Sequence, residues 1–394
     1  MTRRELLQRV FTCGSCGLLA VTGCRRSAMA APVGLTTPTV LPVTSVAVAV
    51  ADVDLTPYTR RALYFDAKDK LRVVCRLCPR ECLVGDRERG FCGVRENQSG
   101  VYYTIVYGQA ATANVDPIEK KPFFHFLPDS QAFSIATAGC NLDCKACQNW
   151  ELSQVRPEQV PEAYDLPPQQ VADSAERQGC QSIAYTYSEP VVFYEYMLDA
   201  CKAGHERGVR SAMVSAGYIQ AKPLEQLLPH LDAVKIDLKS FSDATYVEYC
   251  RGHLQPVLDT IRLIAQAGTW LEVVYLVVPT VNDKPDEIQR AADWLLGAAG
   301  PDVPLHFSRF HPYYQLSNLP PTPIQTLARC YDIAQKAGLH FVYVGNVLEP
   351  RWAETRCPNC GKAVISRDGF RVTGTNMRGS TCAGCGQRIP GVFS

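Results

Sequence analysis

The chain has 394 residues, enough for one large domain with appendages or for two to three ordinary ones, so burial capacity does not limit it. Forty Lys and Arg against thirty-nine Asp and Glu leave a formal charge of +1, which argues against a nucleic-acid binder working through a broad electrostatic footprint. Eighteen cysteines, spaced as C-x2-C and C-x3-C-x2-C in a chain this long, argue against the disulfide framework of a small secreted domain and read as metal ligands.

Residues 1–31 read as a twin-arginine export signal: Arg3 and Arg4 precede a moderately apolar run from Val10 to Cys24. Two processing sites fit, a lipoprotein box ending at Cys24 and an ordinary signal-peptidase site before Ala31, and a cytosolic arm is the plain alternative. No later run reaches the roughly 18 apolar residues that a membrane span needs, so a soluble mature part is expected. Residues 32–56, rich in Pro, Thr, Val and Ala without a helical period, read as a linker.

Residues 57–130 form a four-cysteine region. Cys75, Cys78, Cys82 and Cys92 suffice for one tetrahedral metal, and zinc and an auxiliary iron–sulfur cluster both fit. The following VYYTIVYG alternates as a strand does.

Residues 131–350 alternate short β-branched or aromatic runs with longer helical ones. The predicted strands are FSIATA, SIAYTY, SAMVSA, AVKIDL, LEVVYLVV, LHFSRF and FVYVG, and strand and helix in turn imply an α/β domain on a parallel sheet. Six or seven units are too many for a small open sheet and short of eight, so a partial barrel of (β/α)6 type is expected. Working residues then belong at the carboxyl ends of the strands. Cys140, Cys144 and Cys147 follow the first strand, Glu189 the second, Ser215 and Gly217 close the third, and Asp237 and Lys239 close the fourth. Asn282 and Asp283 follow the fifth and His311 the sixth, so every polar candidate falls at one rim. Residues 351–394 carry Cys357, Cys360, Cys382 and Cys385 as two C-x2-C knuckles, the pattern of a zinc ribbon that folds around its ion.

The loop TAGCNLDCKACQNW supplies one thiolate fewer than a four-iron cubane normally takes. An iron left open can chelate the amino and carboxylate groups of S-adenosylmethionine, and this C-x3-C-x2-C loop resembles that of the radical SAM superfamily. Glu189 is placed to accept from the cosubstrate's amino group, although a carboxylate before Pro190 also suits a helix start. Asp237 and Lys239 share a strand face with Lys235, and an internal Asp–Lys ion pair is their plain reading. Ser215 and His311 complete the cosubstrate candidates; Trp150 and the aromatics of YSEPVVFYEY read as packing. No nicotinamide or flavin glycine fingerprint follows a strand, so an external electron donor is expected.

More specifically, CRLCPREC, GFCGVRENQSG, DPIEKKPFFHFLPDS, IATAGCNLDCKACQNW, TYSEP, VKIDLKS, RFHPYY and the terminal IPGVF resemble the radical SAM enzyme of the AmmeMemoRadiSam system, a relative of pyruvate formate-lyase activating enzymes. The resemblance spans nearly all of the chain after residue 31. It implies a 4Fe-4S cluster on Cys140, Cys144 and Cys147, S-adenosylmethionine as cosubstrate, a partial barrel, and partners resembling the Memo and AMMECR proteins. It departs at Ala146, where many such loops carry an aromatic residue. A non-catalytic iron–sulfur or zinc protein, acting as electron carrier or scaffold, is the reading from another class.

Overall fold

The computed structural model describes residues 54–160, 162–347 and 349–394. The expected signal and nearly all of the expected linker lie outside them.

The core is an eight-stranded sheet. Strand β1 (Thr112–Pro117) runs antiparallel to β2 (Gln131–Ala136), with Thr112 opposite Ala136. From β2 onward the strands lie side by side in chain order and all run parallel: β3 (Ser182–Tyr185), β4 (Arg210–Ser215), β5 (Ala233–Asp237), β6 (Trp270–Val277), β7 (Leu305–Arg309) and β8 (Val342–Gly345). Each predicted strand is present, its ends shifted by a residue or two. The seven parallel strands are the seven expected, with six helices between them, and the antiparallel β1 was not anticipated. Helices α1 (Pro168–Arg177), α2 (Tyr194–His205), α3 (Ala221–Leu227), α4 (Leu254–Ala267), α5 (Pro285–Ala299) and α6 (Ile324–Ala337) fill the crossovers.

Strands covered on both sides show continuous burial rather than alternation, and SIAY and AVKI are buried at every position. The two faces nevertheless differ. Phe133, Ile135, Ile183, Tyr185, Met213, Val234, Ile236, Val273 and Phe307 meet the helices in the main core. The opposite face is built of small and polar residues: Ala184, Ala212, Ala233, Lys235, Glu272 and His306. A plug from Ile118 to Leu127 covers the small ones, with Ile118, Phe123, Phe126 and Leu127 packed against Ala132, Ala184, Ala212 and Ala233. Buried Glu272 fastens the plug by accepting from the amides of Phe124 (3.0 Å) and His125 (2.8 Å) while pairing with His306 at 2.7 Å.

The four-cysteine region folds as two small antiparallel sheets, Phe65–Ala67 with Val73–Cys75 and Leu83–Val84, and Arg60–Arg61 with Val101–Thr104 and Arg95–Gln98. Arg95 joins it to α2 through two bonds to Glu195, at 2.8 and 2.7 Å, with side chains only 1% and 4% exposed. The C-terminal module pairs Thr355–Arg356, Ala363–Asp368 and Arg371–Thr375. It docks on the plug through Arg367, which donates to the Phe124 carbonyl at 2.6 Å, and through Val392, whose amide and carbonyl meet His125 and Leu127. Among the described residues no helix is long and apolar enough to cross a membrane.

Candidate active site

The loop after β2 turns at Gly139, whose φ of +92° and surroundings leave no room for a side chain: a Cβ would lie 2.6 Å from the Cys92 carbonyl oxygen. The loop is then held by the end of the helical turn Tyr246–Cys250. Asp143 donates to the Cys250 carbonyl and Lys145 to that of Tyr249, both at 3.0 Å, while the Asn141 amide donates to Tyr218 at 2.7 Å. Cys140, Cys144 and Cys147 come out half-buried at the carboxyl edge of the sheet.

Each sulfur sits in a different electrostatic setting. Burial pushes the Cys140 thiol well up, and the nearby Glu189 carboxylate adds to that; the Leu142 amide donates to its sulfur at 3.3 Å. Burial also raises Cys147, which the Ser153 hydroxyl meets at 3.1 Å. Cys144 moves the other way, because the neighbouring Cys250 thiol and the Lys239 ammonium favour its thiolate against burial. Cys250 was not among the sequence candidates. It stands alone in YVEYCRG, far along the chain from the triplet, so no spacing pattern marks it.

Tetrahedral sulfurs at about 2.3 Å from one zinc lie about 3.8 Å apart. Cys357, Cys360, Cys382 and Cys385 meet that standard, with all sulfurs within 4.8 Å and pairs at 3.6 and 3.7 Å. Among the described residues theirs is the one set of three or more ligand atoms this tight. Cys140, Cys144 and Cys147 do not form so tight a set. The C-terminal four can hold a metal ion, and Gly361 and Gly386, at φ +70° and +77°, turn each knuckle.

Glu189 is buried at the end of β3. It accepts from the Ser215 hydroxyl at 2.6 Å, the Ala216 amide at 2.9 Å and the Val191 amide at 3.2 Å. Burial raises its carboxyl, and these three donors pull it back. A carboxylate has about four lone-pair sites, so about one stays free. The helix-start reading and the rim reading of Glu189 thus hold together. Ser215 acts through Glu189, and its oxygen also takes the Gly217 amide at 2.9 Å.

Asp237 is clasped by Lys235 and Lys239, the latter at 3.0 Å. Burial alone would raise the carboxyl, yet the two ammoniums hold it at about 2. The internal ion pair is therefore present, and Lys239 also faces Cys144. Asn282 is tied to the Lys239 and Leu276 carbonyls at 2.7 and 2.8 Å and serves the turn. His311, two residues beyond β7, is exposed, and Trp150 stacks on Tyr314 with centroids 5.2 Å apart. A cluster that was not foreseen ties β1 to the segment after β3: Asp116 accepts from Lys120 at 2.7 Å, Lys121 at 2.6 Å and the Tyr187 hydroxyl.

Comparison with known proteins agrees with this geometry. The profile described as the radical SAM superfamily matches residues 134–295. An uncharacterised protein of Methanocaldococcus jannaschii is 42% identical over 332 residues, covering 84% of this chain and 98% of its own. The pyruvate formate-lyase-activating enzyme of Clostridium pasteurianum is 24% identical over 158 residues, 39% of this chain and 65% of that enzyme. A crystal structure of a domain of pyruvate-formate lyase-activating enzyme from Bacteroides vulgatus aligns with a TM-score of 0.38 at 17% identity, over 42% of this chain and 99% of that one.

Proposed function

The chain belongs to the radical SAM superfamily, and from that premise we propose that Cys140, Cys144 and Cys147 hold a 4Fe-4S cluster whose fourth iron is left for S-adenosylmethionine. When bound and reduced, that cluster supplies the electron that splits the cosubstrate into methionine and a 5'-deoxyadenosyl radical, which takes hydrogen from a substrate. The observation that carries the reading is three half-buried cysteines in one clamped loop at the carboxyl edge of a parallel sheet, within the stretch that matches the radical SAM profile.

The chain's own residues then have distinct tasks. Glu189, fixed by Ser215 and Ala216, offers its remaining lone pair to the cosubstrate's ammonium, a charge-assisted bond. Lys239 favours the thiolate of Cys144, while Asp237, itself paired with Lys235, holds its ammonium in place. The Gly139 turn aims the loop, and the Cys250 thiol steadies the Cys144 sulfur. Similarity to activating enzymes favours a protein substrate on which a radical is installed. Zinc in the C-terminal module, an external electron donor, and Memo-like and AMMECR-like partners belong to the same proposal.

The test uses the full chain, reconstituted without oxygen and reduced with dithionite. Release of 5'-deoxyadenosine that Cys144→Ala abolishes is expected. Iron without any cleavage would leave an electron carrier and overturn the enzymatic reading.

A further inference from the structure

The segment after β7 forms a loop that is closed at its base. The Thr322 amide donates to the Phe310 carbonyl at 3.1 Å, the Phe310 amide donates to the Thr322 hydroxyl at 3.0 Å, and that hydroxyl donates to the Val277 carbonyl of β6 at 2.6 Å. Residues 311–321 between them are a surface loop of the compact kind that frequently carries function. Its tip meets the loop that carries the triplet Cys140, Cys144 and Cys147 after β2, although β3, β4, β5 and β6 lie between β2 and β7 in the sheet. The Gln315 amide donates to the Lys145 carbonyl at 3.1 Å, and the Tyr314 ring stacks on Trp150 at 5.2 Å with the planes 13° apart. These contacts complete a ring of loops at the carboxyl ends of the strands.

Both contacts fall beside Cys147. Lys145 lies between Cys144 and Cys147, and its own amide is held by the Tyr249 carbonyl. Trp150 opens the turn Trp150–Ser153, whose Ser153 hydroxyl lies 3.1 Å from the Cys147 sulfur. Tyr314 holds a left-handed backbone, φ +51°, which costs a bulky residue energy and persists only where the surroundings enforce it. The rest of the loop is lightly held. Among the described residues, the Gln315 to Lys145 bond is the one hydrogen bond from residues 311–321 to the remainder of the chain. Leu316 and Leu319 pack half-buried on the core, while His311, Tyr313 and Asn318 are exposed. A segment with so few bonds opens locally at low cost.

We propose that residues 311–321 are a strap over the cosubstrate's way in, and that Tyr314 is the positioning residue that fastens it, acting through Trp150. Open, the strap admits S-adenosylmethionine to the triplet; closed, it steadies the loop beside Cys147 and keeps water from the bound cosubstrate. This rests on the cosubstrate reading of the triplet.

The test uses the full-length wild type, reconstituted without oxygen and left unreduced so that S-adenosylmethionine binds without being consumed. Amide hydrogen exchange in residues 311–321 is expected to slow about tenfold at about ten times the half-saturating concentration, because the cosubstrate binds beneath the closed strap. Exchange that is the same with and without cosubstrate overturns the proposal. Tyr314→Ala is expected to raise the concentration for half-maximal cleavage about twofold to tenfold, the worth of one aromatic pair, with iron content level. Tyr314→Phe keeps the ring and is expected to restore the wild-type half-saturation. An alanine variant with the wild-type half-saturation, or a phenylalanine variant as impaired as the alanine one, also overturns it. Should Tyr314→Ala fail to fold, the wild-type exchange still decides. A wild type that releases no 5'-deoxyadenosine under dithionite removes the cosubstrate reading itself, and the strap with it.

Discussion

At the residue scale, Glu189 shows how one side chain serves both fold and chemistry. Three of its bonds go to the protein, which fixes the carboxylate so that its last acceptor site keeps a constant direction. Glu189→Gln keeps the volume and removes the charge. With ~1.5–3 kcal/mol for a hydrogen bond to a charged group, the S-adenosylmethionine concentration for half-maximal cleavage should rise about tenfold to a hundredfold. Iron content should stay level, and an unchanged half-saturation would remove Glu189 from the cosubstrate's grip. Cys250 poses the opposite question, since a thiol against Cys144 would compete with the cosubstrate if it reached the fourth iron. Cys250→Ala is expected to retain both iron and 5'-deoxyadenosine release; loss of the cluster would make Cys250 a ligand. The triplet was legible because its spacing is itself the chemistry. Cys250 was not, because its role depends on a turn that brings distant residues together.

Among elements, the parallel strands were readable because burial on both sides forces apolar runs that few other structures need. Strand β1 and the plug were not. TANVDP carries only one buried residue, so neither alternation nor a run marks it. The plug's sequence, IEKKPFFHFL, mixes charges with aromatics, and its partner Glu272 sits inside a strand where a carboxylate looks misplaced. Their meaning appears only in three dimensions, where Glu272 receives two amides and His306. Glu272→Ala should leave those donors buried without a partner and destabilise the chain by about 3–5 kcal/mol in chemical unfolding. A loss below ~1 kcal/mol would mean that the plug is held by its phenylalanines alone.

At the scale of the whole molecule, three cysteine groups report on one another. The tight C-terminal quartet gives an internal standard for a single ion, and the triplet does not form so tight a set. The sequence placed all three groups and the rim of polar residues, since ligand spacing and strand order are linear properties. It assigned a cluster to the triplet and zinc to the ribbon, and left the metal of Cys75, Cys78, Cys82 and Cys92 open, because that depends on distances between sulfurs. The account rests on a fourth iron that the polypeptide leaves free. The most direct test is electron–nuclear double resonance on the reduced full-length chain, with S-adenosylmethionine labelled at its amino nitrogen and carboxylate oxygen. Hyperfine coupling of both labels to the cluster spin is the expected result; a spectrum that is the same with and without the labelled cosubstrate would contradict it.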